Sequence, residues 1–343
     1  MPSRDVAFPD LLPLDQALPQ ILANIPVLEA QEQAIRESLG QTLAEDVHAP
    51  ADVPPFANSA MDGFALRASD APGTLRVVAD QPAGHVTDAK VEAGTAVRIM
   101  TGAAMPAGAD SVVPVEETEQ QGRDAVRVPG KVAVGANVRE AGEDVRKGEL
   151  VLSKGTPLNP AMVGVLASIG RSRINVYRRP VVAFMASGDE LVDVDQPVGP
   201  GQIRNSNSSS LHCQIVQAGG VPRDLGVARD TPEDIRAHIQ EGLQADLFLT
   251  SAGVSVGDFD YVKTVLEERG KLQLWRIAIR PGRPIAFGVF DGTPVFSLPG
   301  NPVSSMVCFE IFVRPAMAKM MGRSKLDPPE LQVKVLDNVD NRG

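Results

Sequence analysis

Leu247–Val262 reads LFLTSAGVSVGDFDYV, and this stretch decides the fold. Leu247, Phe248 and Leu249 form a short apolar run of the kind found in a strand buried on both faces. A turn rich in serine and glycine follows, with Ser251, Gly253 and Ser255, and then a helical pattern from Tyr261 to Arg269. Glycines let backbone N–H groups approach a ligand, hydroxyls add donors, and a helix start suits an anion. The acidic pair Asp258 and Asp260 in the same turn adds ligands for a divalent metal between phosphates. A tight turn closed by a capping aspartate explains the same residues equally well.

Outward from this turn, strands and helices alternate. Val181–Met185 reads as a buried strand ending in Ser187-Gly-Asp-Glu190, and Leu211–Ala218 as a helix stopped by Gly219. Leu225–Asp230 reads as a strand, Thr231–Leu243 as a helix capped by Thr231, and Leu272–Ile279 as a further strand. Pro284–Val289 and Thr293–Leu298 form a hairpin through Asp291-Gly292, and Pro299-Gly-Asn-Pro302 opens a last helix, 303–321. This alternation predicts a doubly wound, mostly parallel α/β sheet. Ligands of such sheets bind at the carboxyl ends of the strands. Four polar turns, after Met185, Leu225, Leu249 and Leu298, fall there.

The preceding half differs. Leu14–Ile25 has helical spacing, and Gln31–Leu39 reads as a second helix ended by Gly40. Residues 52–66 contain Pro54, Pro55 and Asp62-Gly63 and read as a loop. From Thr74 to Val138, short alternating runs separated by turns predict an all-β module of five or six strands. Arg139–Gly148 looks like a returning loop, and Pro160–Ile169 a helix with proline at its first position. After Pro328-Pro329, Leu331–Val335 reads as one strand, the first piece of a further domain.

Composition narrows the class. The 343 residues are 43% apolar but only 4% aromatic, so the cores are aliphatic, and the 31 glycines and 28 prolines spread as turns. The net charge of −10, without a basic patch, argues against nucleic acid. Arg276, Arg280 and Arg283 around a Pro-Gly turn therefore stand out as a local anion site, with a solvated strand face as the alternative. Cys213 and Cys308 show no metal spacing and read as reduced thiols of a cytoplasmic protein. No apolar run reaches membrane-spanning length, and the N-terminus lacks a signal-peptide pattern.

The blocks PPFANSAMDGFAL, RIMTGAAMPAGAD, REAGEDV, SGDEL, RNSNSSSL, TSAGVSVGDFDYVK, AIRPGRPIAFG and LPGNPVSS occur in order from about Leu12 to Met321. Together they resemble the molybdopterin molybdenumtransferase (MoeA) family, to which the gephyrin E domain is related. The resemblance implies insertion of molybdenum from molybdate into adenylated molybdopterin, with release of AMP in a Mg2+-dependent step. It implies an elongated discontinuous first domain (1–50 with 140–179), an inserted β domain (51–139), a doubly wound molybdopterin-binding domain (180–323) and a C-terminal β-barrel. Residues 324–343 would be only the start of that barrel. It further implies a homodimer with the active cleft between subunits, and a molybdopterin adenylyltransferase as pterin donor. Asp62, Thr101, Arg139 and Asp144 would face the cleft from one side, and Glu190, Asp230, Asp260, Arg276 and Arg280 from the other. On this reading Asp62, Thr101, Asp144 and Asp260 are catalytic, and Glu190, Asp230 and Asp260 hold the metal. Arg139, Ser251, Gly253, Ser255, Arg276, Arg280, Arg283, Pro299, Gly300 and Asn301 bind substrate. Relatives commonly carry lysine at positions 276 and 280, and a guanidinium keeps the charge but cannot give up a proton. Two other readings share parts of the pattern: the adenylyltransferase, which lacks the region before Val181, and a dimeric scaffold without turnover.

Overall fold

The computed structural model describes residues 11–251, 261–268, 273–282, 284–326, 331–334 and 336, with the side chains of 273–276 excepted. The chain divides into two compact units, one of Met1–Glu45, Lys154–Pro160 and Arg173–Gly343, the other of Asp46–Ser153 and Ala161–Ser172. The first unit opens with α1 (Leu14–Ala23), which buries Ala17 and Ile21, as its spacing predicts. The expected second helix is instead a strand, β1 (Ala30–Ala34), antiparallel to Arg173–Tyr177. Glutamine and glutamate favour helices, but propensity is a weak prior that tertiary pairing overrides. Glu32 meets Arg173 Nε at 2.7 Å across this ladder. Gly40 is left-handed, with φ +78°, but it serves a turn whose N–H donates to Leu158 O rather than a helix end.

The chain then builds the second unit from β2 (Val47–His48), β3 (Asn58–Ser59), β4 (Gly63–Leu66), β5 (Gly73–Gln81), β6 (Thr95–Ile99), β7 (Ser111–Pro114), β8 (Glu119–Gln120) and β9 (Ala125–Val128). Six of these form a sheet in the order β7-β4-β6-β5-β9-β8, with only β5 and β6 parallel. The predicted strand count holds, but its membership does not. β4 lies in the stretch read as a loop, whereas residues 131–138 contribute only Val138 to β10 (Val138–Arg139). All four β4 residues are buried, so no alternation marks it. Phe64 and Leu66 pack with Leu75, Val113 and Val126, while Ala65 packs with Ile99 and Val112 on the other face. A Cβ on Gly63 would stand 2.0 Å from Val113 O, so only glycine lets β4 and β7 pair here. β11 (Leu150–Leu152) pairs with β2, and α2 (Pro160–Ser168) follows.

Back in the first unit come β12 (Arg173–Tyr177), β13 (Val181–Ser187), β14 (Leu191–Val192), β15 (Ile203–Arg204), α3 (Ser206–Ala218), β16 (Val221–Ala228), α4 (Pro232–Gly242), β17 (Leu247–Ser251), α5 (Tyr261–Glu267), β18 (Gln273–Arg276), β19 (Pro284–Phe290) and β20 (Thr293–Leu298). A continuous helical stretch ends it: α6 (Pro302–Cys308), a π-helical turn (Phe309–Val313) and α7 (Arg314–Met320). The sheet order is β16-β13-β17-β20-β19-β18. Its first four strands are parallel, and β19 and β18 are antiparallel. Both faces are covered. Val182, Phe184, Leu247, Leu249 and Phe296 pack with α1, α3 and α7, and Ala183, Met185, Phe248 and Val295 with α4 and α5. The doubly wound reading therefore holds. Two elements start earlier than the apolar spacing indicates. α3 begins at Ser206 because the Asn205 side chain accepts from Ser208 N at 3.1 Å, and β16 begins at Val221. The expected strand at Leu331–Val335 is not formed among the described residues. Leu331 and Val333 are 86% and 76% exposed, and Val335 lies outside the described residues.

Candidate functional site

Four parallel strands bring their carboxyl ends to one edge of the first unit: Ser187 of β13, Ala228 of β16, Ser251 of β17 and Leu298 of β20. The turns that follow carry the polar groups expected there. Asp189 and Asp230 face each other, with Asp189 N donating to Asp230 Oδ2 at 3.4 Å and Asp230 N to Asp189 Oδ1 at 3.3 Å. Glu190 folds back over Gly188, where a Cβ would lie 2.3 Å from its Oε2. A cleft of about 80 Å³ is lined by Ser187, Glu190, Arg204, Asn207, Ser251 and Gly300. Asn207, in the first turn of α3, ties this edge together: its Nδ2 donates to Ser251 Oγ at 2.7 Å and to Gly300 O at 2.9 Å. Asn301 caps α6, its Oδ1 accepting from Ser304 N at 3.2 Å, and Pro299 before it is buried. Of the cationic turn, Arg280 is exposed, and Gly282 is left-handed at φ +106° and accepts from Cys308 Sγ. Burial pushes the Cys308 thiol up to about 12, so it packs and does not react.

The second unit holds the other expected group. Asp62 precedes β4, Thr101 follows β6, and the pairing of Gly63 with Ile99 brings them together. Asp62 Oδ1 accepts from Thr101 N and Thr101 Oγ1, both at 2.7 Å. The Thr101 N–H, then its hydroxyl, then the Arg98 guanidinium hold this carboxyl below its ordinary range. Arg139, on β10, donates from Nη2 to Asp144 Oδ2 at 2.6 Å and from Nε to Glu143 Oε1 at 3.5 Å. The two pairs flank β3. Gly102 N donates to Ser59 O on one side, and β10 pairs with Asn58 and Ser59 on the other.

Gly253, Ser255, Asp260 and Arg283 lie outside the described residues, and for Arg276 the backbone alone, in β18, is described. The proposed metal ligands Glu190 and Asp230 reach the same strand-end edge, but among the described residues no three His, Cys, Asp or Glu side chains converge on one point. This donor set fits magnesium, which takes one or two carboxylates and completes its shell with water and phosphate oxygens. Asn207, Asp189 and Arg98 were not singled out by sequence reasoning. Asn207 sits in the block RNSNSSSL, yet its links span 44 and 93 residues and no local pattern encodes them. No helix among the described residues is long and apolar enough to cross a membrane.

Residues 12–170 match the family model described as the MoeA N-terminal region (domain I and II), and residues 183–319 that of a probable molybdopterin binding domain. A molybdopterin molybdenumtransferase of Haemophilus influenzae is 38% identical over 93% of this chain and 80% of its own length. One of Bacillus subtilis is 37% identical over 89% of this chain and 74% of its own length. Among solved structures, the molybdopterin biosynthesis MoeA protein of Pyrococcus horikoshii superposes with a TM-score of 0.80 at 32% identity, covering 92% of this chain and 81% of that one.

Proposed function

Because this chain belongs to the molybdopterin molybdenumtransferase family, we propose that it is the transferase of molybdenum cofactor biosynthesis that joins molybdate to adenylated molybdopterin and releases AMP. The observation that carries the reading is the convergence of four parallel-strand ends on one edge, with Ser251, Asp230 and Glu190 at or just after those ends and Asn207 of α3 tied to them. The exposed Arg280 guanidinium suits phosphate and molybdate oxygens. Glu190 and Asp230, with Asp260, would hold a magnesium ion, which when bound supplies charge neutralisation at phosphate oxygens.

In the second unit, two donors fix the Asp62 carboxylate, and its depressed pKa keeps it ionised at neutral pH. A carboxylate so held is a weak base, suited to accepting a hydrogen bond from a water or hydroxyl and orienting it through Oδ2. Asp144 holds the Arg139 guanidinium in place, and its remaining N–H groups suit an oxyanion. Homodimerisation, cytoplasmic residence and supply of the pterin by an adenylyltransferase belong to the same proposal.

The test is AMP release from adenylated molybdopterin with magnesium and molybdate. We expect turnover by the wild type and loss of at least about 100-fold in Asp62→Ala, with the melting temperature unchanged. Wild-type turnover in the variant would remove Asp62 from the chemistry, and peptide binding without AMP release by the wild type would favour a scaffold.

A further inference from the structure

We infer that Asn207 and Ser251 form a reader for a heterocyclic lactam edge, a ring carbonyl beside a ring N–H; the inference rests on the proposed function and specifies which part of the substrate enters the cleft. Asn207 is only 8% exposed, and its Nδ2 faces the Gly300 carbonyl at 2.9 Å. A carbonyl only accepts, so the group facing it is the NH2, and the amide orientation is fixed. Two consequences follow. Asn207 Oδ1 is buried with no hydrogen-bond partner among the described residues, a condition that native proteins rarely keep without a use. Ser251 Oγ accepts from Asn207 at 2.7 Å, which leaves its own proton to donate.

The pair therefore offers one acceptor beside one donor. Molybdate and ionised phosphate carry acceptors only, and at Asn207 Oδ1 they would set lone pair against lone pair. A lactam satisfies both atoms, with its carbonyl accepting from Ser251 and its N–H donating to Asn207. The 2-amino-4-oxo ring of a pterin presents such an edge. The N1 and amino edge of adenine has the same donor–acceptor pattern, so the pterin and AMP halves of the substrate compete for the assignment; we assign the pterin. The cleft, about 80 Å³, takes an edge rather than a whole ring. Asn207 and Ser251 both line this cleft, together with the exposed Glu190 and Arg204.

The experiment is equilibrium binding of pterin, 3-methylpterin and AMP to the full chain, with melts as the folding control. Methylation at N3 removes the ring N–H that Asn207 would accept. The wild type should prefer pterin over 3-methylpterin by about tenfold or more. Asn207→Ala should bring that ratio near one and leave AMP affinity unchanged. Ser251→Ala should weaken both pterins and keep the ratio, and it carries the test if Asn207→Ala does not fold. Equal binding of the two pterins by the wild type, a preference that survives Asn207→Ala, unchanged pterin affinity in Ser251→Ala, or a loss of AMP affinity in place of pterin would each overturn the assignment. AMP release measured in parallel separates the two readings. A wild type that prefers pterin but releases no AMP sinks the proposed function alone, and the reverse outcome sinks only the lactam reader.

Discussion

At the scale of single residues, hydrogen-bonded carboxylates serve two ends. The Asp62–Thr101 and Arg139–Asp144 pairs are exposed and belong to the candidate site, whereas Asp246 and Arg178 hold the sheet. Arg178 grips both oxygens of Asp246, Nη2 to Oδ1 at 2.6 Å, and also meets Glu29, while Val181 N donates to Asp246 Oδ2 at 2.8 Å. Burial pushes the Asp246 carboxyl up, but the hydrogen bonds from Arg178 and Val181 outweigh it and leave the group below its ordinary range. A depressed carboxylate stabilises the fold above its unfolded pKa and loses that contribution as pH falls through the folded one. Asp246→Asn should cost about 1–3 kcal/mol at pH 7 in urea unfolding, and the gap to wild type should narrow toward pH 3. Equal stability at pH 7 would show that the grip is not stabilising. These pairs were legible to different degrees. Asp62 and Thr101 stand in motifs, but nothing near Asp246 or Asn207 in sequence announces Arg178, Ser251 or Gly300.

Secondary-structure elements were legible where local and tertiary preferences agree. The apolar runs of β13 and β17, the Thr231 cap of α4 and the Asp291-Gly292 hairpin are each written in a few consecutive residues. β1 and β4 were not, because one is composed of helix formers paired across the chain and the other has glycine in a fully buried strand. The hairpin gives a direct check. Asp291 and Gly292 have φ of +51° and +86°, the left-handed pair of a type I′ turn. Gly292→Ala should cost about 1–2 kcal/mol, since a side chain there meets its own backbone. Gly130→Ala is the control, because a Cβ there would meet no atom within 4 Å and its φ is not left-handed. Equal melting temperatures for the two variants would contradict the turn assignment.

For the whole molecule, charge sets the terms of substrate capture. A chain of net charge −10 repels an anionic substrate at long range, so cations near the site must act locally. Arg280→Ala should weaken binding of molybdate or adenylated molybdopterin more at 20 mM than at 500 mM salt, because screening shortens to a few ångströms at high ionic strength. An effect indifferent to salt would make Arg280 a packing residue. The family resemblance supplied the multidomain plan, and the pattern of strands supplied the parallel sheet. Neither placed the polar links between strand ends, which arise only once the sheet is assembled.

The ladder between β1 and β12 imposes a timetable on the newborn protein. Glu32 waits for Arg173, 141 residues later, and at ~5–20 residues per second that delay lasts roughly 7–28 s on the ribosome. The six-stranded sheet of the second unit is encoded wholly within this interval, so it can close while β1 is still unpaired. The polar Gln-Glu-Gln of β1 then has a second merit: an edge that must stand alone for many seconds is kept wettable until its mate emerges.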